Sequence, residues 1–396
     1  MKYSMASGRF CEVLELNSTA LGAMCEVDKR QGVYRDLPYV GLEDIESGTG
    51  QFLGSLEPRS VKSSTFRFSS EHVLYGRLRP YLNKVMLPDF VGHCSTEIFP
   101  LRPRPGLNRD FLQYWLRMAG TVQRINATST GTRMPRANVS AVLGFPIPLP
   151  PLAEQHRIVA VLDQTIEDIA TARANTQRNL EHARALFESH LAAVFTPEHQ
   201  HPLVPIGDVG EVFDGPHATP RTVNEGPIFL GISALQDGQV NLGETRHVTP
   251  DDFQRWTRRV KPQSGDVVFS YETRLGQVAI IPNGLECCLG RRMGLVRVDR
   301  ARIDPRFFVY QYLSPTFRSF LDSRTVHGAT VDRIAIKEFP SFPIRVPGLA
   351  EQQHIVDRLD ALREECQRLE SLYQRKLDVL DNLRESILHH AFTGQL

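Results

Sequence analysis

The feature that most constrains this chain is a segment that occurs twice. The first copy runs Phe145-Pro146-Ile147-Pro148-Leu149-Pro150-Pro151-Leu152-Ala153-Glu154-Gln155-His156-Arg157-Ile158-Val159-Ala160-Val161-Leu162-Asp163. The second runs Phe342-Pro343-Ile344-Arg345-Val346-Pro347-Gly348-Leu349-Ala350-Glu351-Gln352-Gln353-His354-Ile355-Val356-Asp357-Arg358-Leu359-Asp360, offset by 197 residues without a gap. The register holds beyond the motif. Gly131 falls on Gly328 and Arg136 on Arg333; downstream, Leu186 falls on Leu383, Ser189 on Ser386, Leu191 on Leu388 and Phe195-Thr196 on Phe392-Thr393. In a chain of 396 residues this period is a duplicated domain. Solenoid units are shorter, about 20–50 residues.

Each copy begins with prolines, which impose extended backbone and stop any earlier helix. Beyond them, Ala153–Val194 contains no Gly or Pro and reads as one helix. Val159, Leu162, Ile166, Ile169, Thr176, Leu180, Ala183, Phe187 and Val194 recur at alternating three- and four-residue steps, with a polar break near Arg173. That is a heptad seam. At 1.5 Å per residue such a helix is a rod of roughly 60 Å, and one apolar stripe on a rod requires a partner. The second copy supplies it over Ala350–Phe392, with a stripe of Ile355, Leu359, Leu362, Cys366, Leu369, Tyr373, Leu380, Leu383 and Ile387. Two such units in one chain are expected to place the rods antiparallel about a pseudo-two-fold axis. Glu154-Gln155 and Glu351-Gln352 open the helices, where acidic side chains favour the helix dipole, so capping is their expected role.

The rest is two mixed units, and the expected class is α+β. The divisions fall at 1–145 and 199–342 for the globular units, with 146–198 and 343–396 as proline linker plus helix. In the first unit β-type runs lie at Phe10–Leu16, Tyr39–Leu42, Val73–Tyr75, Lys84–Leu87 and Ile98–Leu101, and a helix at Arg109–Met118. In the second, strands are expected at Ile228–Gly231, Asp266–Phe269, Val278–Ile281 and Met293–Val298, and a helix at Pro305–Leu313. Val73–Pro88 matches Val267–Pro282 in outline, with Pro88 on Pro282. Hydrophobic residues make up 41% and charged residues 23%, which suits a packed core. No apolar run approaches the ~18 residues of a membrane span, and Met1–Met5 has no signal-like core. The six cysteines form no CxxC pair and read as buried free thiols. A cytoplasmic protein is the expectation.

Motifs for catalysis are absent. There is no G-x-x-x-x-G-K-[ST] phosphate cradle, no Asn-Pro-Pro-Tyr or Asp-Pro-Pro-Tyr of an amino-methyltransferase, and no G-x-S-x-G. Pro88-Asp89 followed by Glu97-Ile98-Phe99 has nuclease-like spacing but lacks the completing lysine, and reads as chance. The 13 histidines are scattered, and His389-His390 read as solvent-facing. No cofactor or metal site is expected in this chain.

Net charge is +1, yet arginine is clustered, and a basic face is what steers nucleic acid. Arginine reads guanine bidentately and Asn pairs with adenine. The first candidate loop is Gly76–Lys84, carrying Arg77, Arg79, Tyr81, Asn83 and Lys84; its counterpart, Ser270–Gln277, carries Tyr271, Thr273, Arg274 and Gln277. The second candidate is Thr130–Arg136 with Arg133 and Arg136, paired with His327–Arg333 and its Arg333. Arg291, Arg292, Arg255, Arg258 and Arg259 add charge suited to phosphate. The bland readings are an exposed hairpin with salt-bridged arginines, a turn that seats the unit on its rod, and solvated charged faces.

The duplicated Pro-Pro-Leu-Ala-Glu-Gln-His-Arg-Ile-Val motif and the Phe392-Thr393-Gly394-Gln395-Leu396 ending resemble the specificity subunits of Type I restriction–modification systems. The resemblance covers essentially the whole chain. Ile206-Gly207-Asp208-Val209 and Gly215-Pro216-His217-Ala218-Thr219-Pro220 open the second unit as family domains often open. The first unit has Cys11-Glu12-Val13-Leu14-Glu15-Leu16 and no counterpart of the Thr-Pro turn. The resemblance implies two target-recognition domains, each reading half of a split double-stranded DNA sequence, with an antiparallel coiled coil that sets the gap. It implies two docked methyltransferase subunits, and leaves open whether motor–nuclease subunits join. S-adenosylmethionine, ATP and magnesium would belong to those partners. A different class stays open: a coiled-coil scaffold whose globular ends bind protein.

Overall fold

In each copy of the repeat the prolines hold an extended strand, and the helix starts where they stop. Pro146–Pro148 pairs antiparallel with Ser18–Ala20, and Pro343–Arg345 pairs antiparallel with Leu203–Pro205. Both are two-stranded edges, where a residue without an N–H is tolerated. These features belong to a computed structural model that describes residues 17–131, 133–196, 201–328 and 331–396. The strand expected at Phe10–Leu16, with Cys11, lies outside the described residues, as do Thr132, Pro197 and His199. The chain divides into unit 1, Met1–Gln177 with Arg375–Leu396, and unit 2, Arg178–Gln374.

Each unit is built on a four-stranded antiparallel sheet. In unit 1 they are β1 (Cys25–Val27), β2 (Val73–Gly76), β3 (Val85–Met86) and β4 (Ile98–Pro103), in spatial order β1-β4-β2-β3. In unit 2 they are β5 (Gly210–Asp214), β6 (Val267–Ser270), β7 (Val278–Ile280) and β8 (Met293–Val298), in the matching order β5-β8-β6-β7. The helix after β4 is α1 (Arg109–Arg117), followed by the long α2 (Leu152–Val194); after β8 come α3 (Pro305–Leu313) and the long α4 (Leu349–Phe392). The hairpins differ by one residue, because Tyr75 pairs with Val85 whereas Phe269 pairs with Val278. Pro88 therefore corresponds to Ile281 and not to Pro282. The strand expected over Tyr39–Leu42 ends at Val40, because the Asp44 carboxylate accepts the Gly41 N–H (2.7 Å) and turns Leu42–Asp44 into a 3-10 helix.

The repeated Glu-Gln pair does more than cap. Buried Gln155 donates from Nε2 to the Pro150 and Gly106 carbonyls (2.8 and 2.9 Å), and its Oε1 accepts the Asn108 N–H (2.8 Å). Asn108 is the N-cap of α1. Buried Gln352 repeats this on the Pro347 and Arg302 carbonyls (2.7 and 2.9 Å) and on the N–H of Asp304 (2.8 Å), the N-cap of α3. Two turns further on, Asp163 accepts from Tyr114 Oη, and Asp360 from Tyr310 Oη. The motif thus fastens the first turns of each long helix to the helix of its own unit. Glu154 instead pairs with Arg157 (2.7 Å) on the surface.

Each unit contains pieces of both long helices. Unit 1 holds the start of α2 and the end of α4, running antiparallel: Arg157 Nη2 donates to the Leu396 carbonyl (2.8 Å), and Arg173 pairs with Asp381 (3.0 Å). Its core closes with Ile158, Leu162, Leu388 and Phe392, the last ring centred 4.7 Å from Phe111. Unit 2 holds the end of α2 and the start of α4, also antiparallel, with Arg184 on Glu370 (3.1 Å) and Arg363 over the Phe187 ring. There Phe195 lies 5.4 Å from Phe307, the position matching the Phe392–Phe111 pair.

The seam follows Leu162, Ile169, Thr176, Leu180 and Ala183 as expected, but at its ends Ile158 and Leu191 are buried more deeply than Val159 and Val194. In the second stripe Leu377, which the expected set omits, is 5% exposed, while Leu383 is 42% exposed. Arg384 turns in beside it and donates to the Gly48 carbonyl (2.9 Å), which also accepts from Arg117. Burial and the neighbouring Arg384 pull Arg117 down to about 10.

Candidate nucleic-acid interface

Three segments meet at one end of the strands of each sheet, and the backbone ties them in the same pattern twice. In unit 1 they are the β2–β3 loop, the turn before β4, and the segment around Arg136. Arg77 N–H donates to the Glu97 carbonyl (2.9 Å), Ala137 N–H to the Arg77 carbonyl (2.9 Å), and Arg79 N–H to the Pro135 carbonyl (2.7 Å). In unit 2 Tyr271 N–H donates to the Arg292 carbonyl (3.2 Å), Ile334 N–H to the Tyr271 carbonyl (2.8 Å), and Thr273 N–H to the Asp332 carbonyl (3.2 Å). An isolated bridge joins Leu78 to Arg136 and, equivalently, Glu272 to Arg333. The two candidate segments of each unit, distant in sequence, are therefore one surface.

The tie also fixes an unusual backbone. Arg79 and Thr273, at equivalent positions, have φ of 51° and 68°. Left-handed backbone is disfavoured for side chains with a Cβ, most of all a β-branched one such as Thr. It costs on the order of 1–3 kcal/mol and persists where surrounding structure over-determines it. Here the hydrogen bonds to Pro135 and Asp332 do so, and the loop tip is aimed by the linker segment behind it.

In unit 1 the side chains centre on Glu97. Its carboxylate accepts from Arg77 Nε (2.9 Å) and Arg136 Nε (3.0 Å), and Arg136 Nη2 lies 2.9 Å away. Burial pushes the Glu97 carboxyl up, but the hydrogen bonds from Arg136 and Arg77 outweigh it and hold it below the usual range. Arg77 also lies over the Phe99 ring (5.1 Å). Arg79, Tyr81 and Arg133 are exposed. Asn83 and Lys84 face inward: Asn83 Nδ2 donates to the Arg117 carbonyl (3.1 Å), and Lys84 Nζ to the Leu42 carbonyl (2.6 Å). Those two candidates brace the loop from behind.

In unit 2 the charges are rearranged. Arg292 Nε lies 2.8 Å from Glu272 Oε2. Arg274, Arg291 and Arg333 are exposed, and Gln277 is half-buried. Thr273 Oγ1 donates to the Glu272 carbonyl (2.5 Å). Tyr271 is buried, and its hydroxyl donates to Asp214 Oδ1 (2.9 Å); burial, then this bond, raise its pKa well above the ordinary tyrosine value. Asp214 in turn meets His217 (2.9 Å) and Arg259 (3.7 Å) at a cleft of about 480 Å³ that Arg255, Trp256 and Arg258 also line. Arg259 of this cleft thus reaches the candidate loop through Asp214 and Tyr271.

Comparison with known proteins places this geometry. A family model described as the Type I restriction modification DNA specificity domain matches residues 19–181 and 203–377, one match per copy of the repeat. The chain belongs to this specificity-domain family. Among its relatives, the Type I restriction enzyme EcoDI specificity subunit of Escherichia coli is 28% identical over 167 residues, 42% of this chain and 37% of that protein. The EcoBI specificity subunit of E. coli is 21% identical over 70% of this chain and 64% of that protein, and the EcoKI specificity subunit of strain K12 is 24% identical over 76% and 69%. The aligned part of the chain thus spans less than two thirds of the first two relatives. Among solved structures, a chain from work on complex assembly and conformational transition of the type I R-M system superposes with TM-score 0.77 at 24% identity, covering 97% of this chain and 100% of that one. The HsdS subunit from Thermoanaerobacter tengcongensis gives 0.66 at 23% identity, covering 99% and 100%. These likenesses show the specificity-subunit fold: two mixed helix-and-sheet domains with two long helices.

Within this family fold, Glu97, Glu272 and Asp214 join the site although the sequence reading passed over them. Glu97 was dismissed with the nuclease-like spacing around it. The usable signal was that Glu97 and Arg292 each immediately precede a strand, β4 and β8. Insertions between the diverged halves hide that equivalence from the 197-residue register. Among the described residues no His, Cys, Asp or Glu cluster could hold a metal ion, and no helix is long and apolar enough to cross a membrane.

Proposed function

We propose that this chain is the DNA sequence-specificity subunit of a Type I restriction–modification complex, with no catalytic site of its own. The observation that carries the reading is the doubled tie: each unit fixes a loop and a linker segment into one surface with exposed arginines. Residues 1–145 and 199–342 act as the two readers, and 146–198 and 343–396 as the linkers and helices that hold them. Arg79, Tyr81 and Arg133 of the first reader, and Arg274, Arg291 and Arg333 of the second, reach the duplex. Phosphate contacts set register and base-edge contacts specify the half-site. The two long helices set the interval between half-sites and dock two methyltransferase subunits. S-adenosylmethionine belongs to those subunits, and ATP and magnesium to motor–nuclease subunits where these join.

The test is selection of bound duplexes from a random library, with the chain co-expressed with a methyltransferase subunit from the same source, across a salt series. The expected result is two short half-sites at one constant gap, with affinity falling as salt rises, because neutralised phosphates release counterions. Absence of enrichment at every salt concentration overturns the reading and leaves a protein-binding scaffold.

A further inference from the structure

Glu97 and Arg292 hold the same place with opposite charge. Each directly precedes its strand, and the carbonyl of each accepts the N–H of the first loop residue, Arg77 or Tyr271. In unit 1 the acid stands on this turn and the arginines stand on the loop and linker. In unit 2 the arginine stands on the turn and the acid, Glu272, on the loop. Both units thus keep a fixed arginine–carboxylate pair at the centre of the tie while exchanging which segment carries which group.

Glu97 accepts hydrogen bonds from both Arg77 and Arg136, Arg292 forms an ion pair with Glu272, and both groupings stay partly exposed. Side-chain exposure is 22% for Glu97 and 40% for Arg136, and 25% for Glu272 and 28% for Arg292. A partly exposed ion pair contributes modestly to stability, and stability alone gives no reason for the acid and the arginine to exchange segments between the units. A phosphate clamp does not account for the pair either, since a carboxylate 2.9 Å from the guanidinium repels a phosphate that approaches it. A base pair fits both groups. In the major groove guanine offers the O6 and N7 acceptors, and its cytosine partner offers the N4 amine donor. Arginine and carboxylate held side by side present the complementary donor and acceptor.

We propose that Arg136 with Glu97, and Arg292 with Glu272, are specificity-determining pairs that each read one G·C pair of their unit's half-site. The guanidinium faces guanine and the carboxylate accepts from cytosine N4. This rests on the DNA-specificity reading above. Because the donor stands on a different segment in each unit, the two half-sites place their G·C pair differently within otherwise similar surfaces.

The test repeats the random-duplex selection with the full chain and its methyltransferase, comparing wild type with Glu97→Gln and Glu272→Gln. Glu97→Gln is expected to lose roughly tenfold preference for G·C at one position of one half-site, with the other half-site and the gap unchanged. Glu272→Gln is expected to do the same in the other half-site only. Thermal melts report whether each variant folds. Arg136→Lys and Arg292→Lys, which keep charge but lose bidentate geometry, relax the same positions and carry the test if a glutamine variant unfolds. Wild-type half-sites with unchanged base preferences in all folded variants, even with uniformly weaker binding, overturn this assignment alone. A wild-type library without enrichment overturns the specificity reading and this assignment together.

Discussion

At the scale of single residues, the duplicated motif is explained by what its glutamines touch. Gln155 and Gln352 are themselves buried, and each satisfies two carbonyls and one N–H, with the Pro150 and Pro347 carbonyls buried as well. Replacing either by Ala orphans those groups, and buried unsatisfied polar groups cost about 1–3 kcal/mol apiece when nothing relaxes. Gln155→Ala or Gln352→Ala is therefore expected to lower unfolding free energy by about 2–4 kcal/mol in urea titrations. Glu154→Ala, which removes only a surface pair, should stay within about 0.5 kcal/mol. Asp28 gives a pH signature. A side-chain hydrogen bond from Arg30, with help from His72 and against burial, holds its carboxyl at about 2, below the ordinary 3.8. A lowered folded-state value means that the stabilisation is complete above 3.8 and is lost as pH falls through about 2. Melting temperatures taken between about pH 5 and 2 should fall less steeply for Asp28→Asn than for wild type, and equal slopes would remove Asp28 from the acid response.

At the scale of elements, periodicity was readable and partner choice was not. The expected ranges of β8 and α3, Met293–Val298 and Pro305–Leu313, match the structure, because alternation and a helix-start proline are local signals. The long helices were equally legible from stretches free of Gly and Pro that carry a heptad seam. Leu383 was misplaced because a 3.5-residue seam allows several neighbouring positions to face inward, and the globular unit decides among them. Here the Gly48 carbonyl draws Arg384 in and Leu377 fills the seam. Leu377→Ala is expected to cost about 2–4 kcal/mol, as a buried leucine does, whereas Leu383→Ala should change unfolding free energy by less than about 0.5 kcal/mol. Equal effects in chemical denaturation would return Leu383 to the seam. The candidate site was legible as two loops rich in arginine. That Arg77 and Arg136 share Glu97, and that Asn83 and Lys84 turn inward, depends on backbone pairings between residues far apart in sequence, which no local pattern encodes.

At the scale of the whole molecule, each long helix serves two units. α2 contributes its first half to unit 1 and its last part to unit 2, and α4 does the reverse. Each unit's core is therefore completed by the end of the other copy's long helix, Leu388 and Phe392 in unit 1 and Leu191 and Phe195 in unit 2. The helices then fix the half-site interval if they act as a ruler, and helix geometry gives the calibration. One heptad adds about 10 Å of rise, while duplex DNA advances about 3.4 Å per base pair. Inserting one heptad into both helices, after Gln177 and after Gln374, should lengthen the selected gap by about three base pairs and leave both half-sites unchanged. Three base pairs also turn the duplex by roughly a third of its 10.5-pair repeat, whereas a heptad returns the protein helix to within about 20° of its starting face. The single insertion should consequently bind more weakly than wild type. An insertion of three heptads, close to one full turn of DNA, should recover affinity at a gap about nine base pairs longer. Library selection on the three chains reads both quantities, and an unchanged gap in the folded insertion variants would end the ruler interpretation.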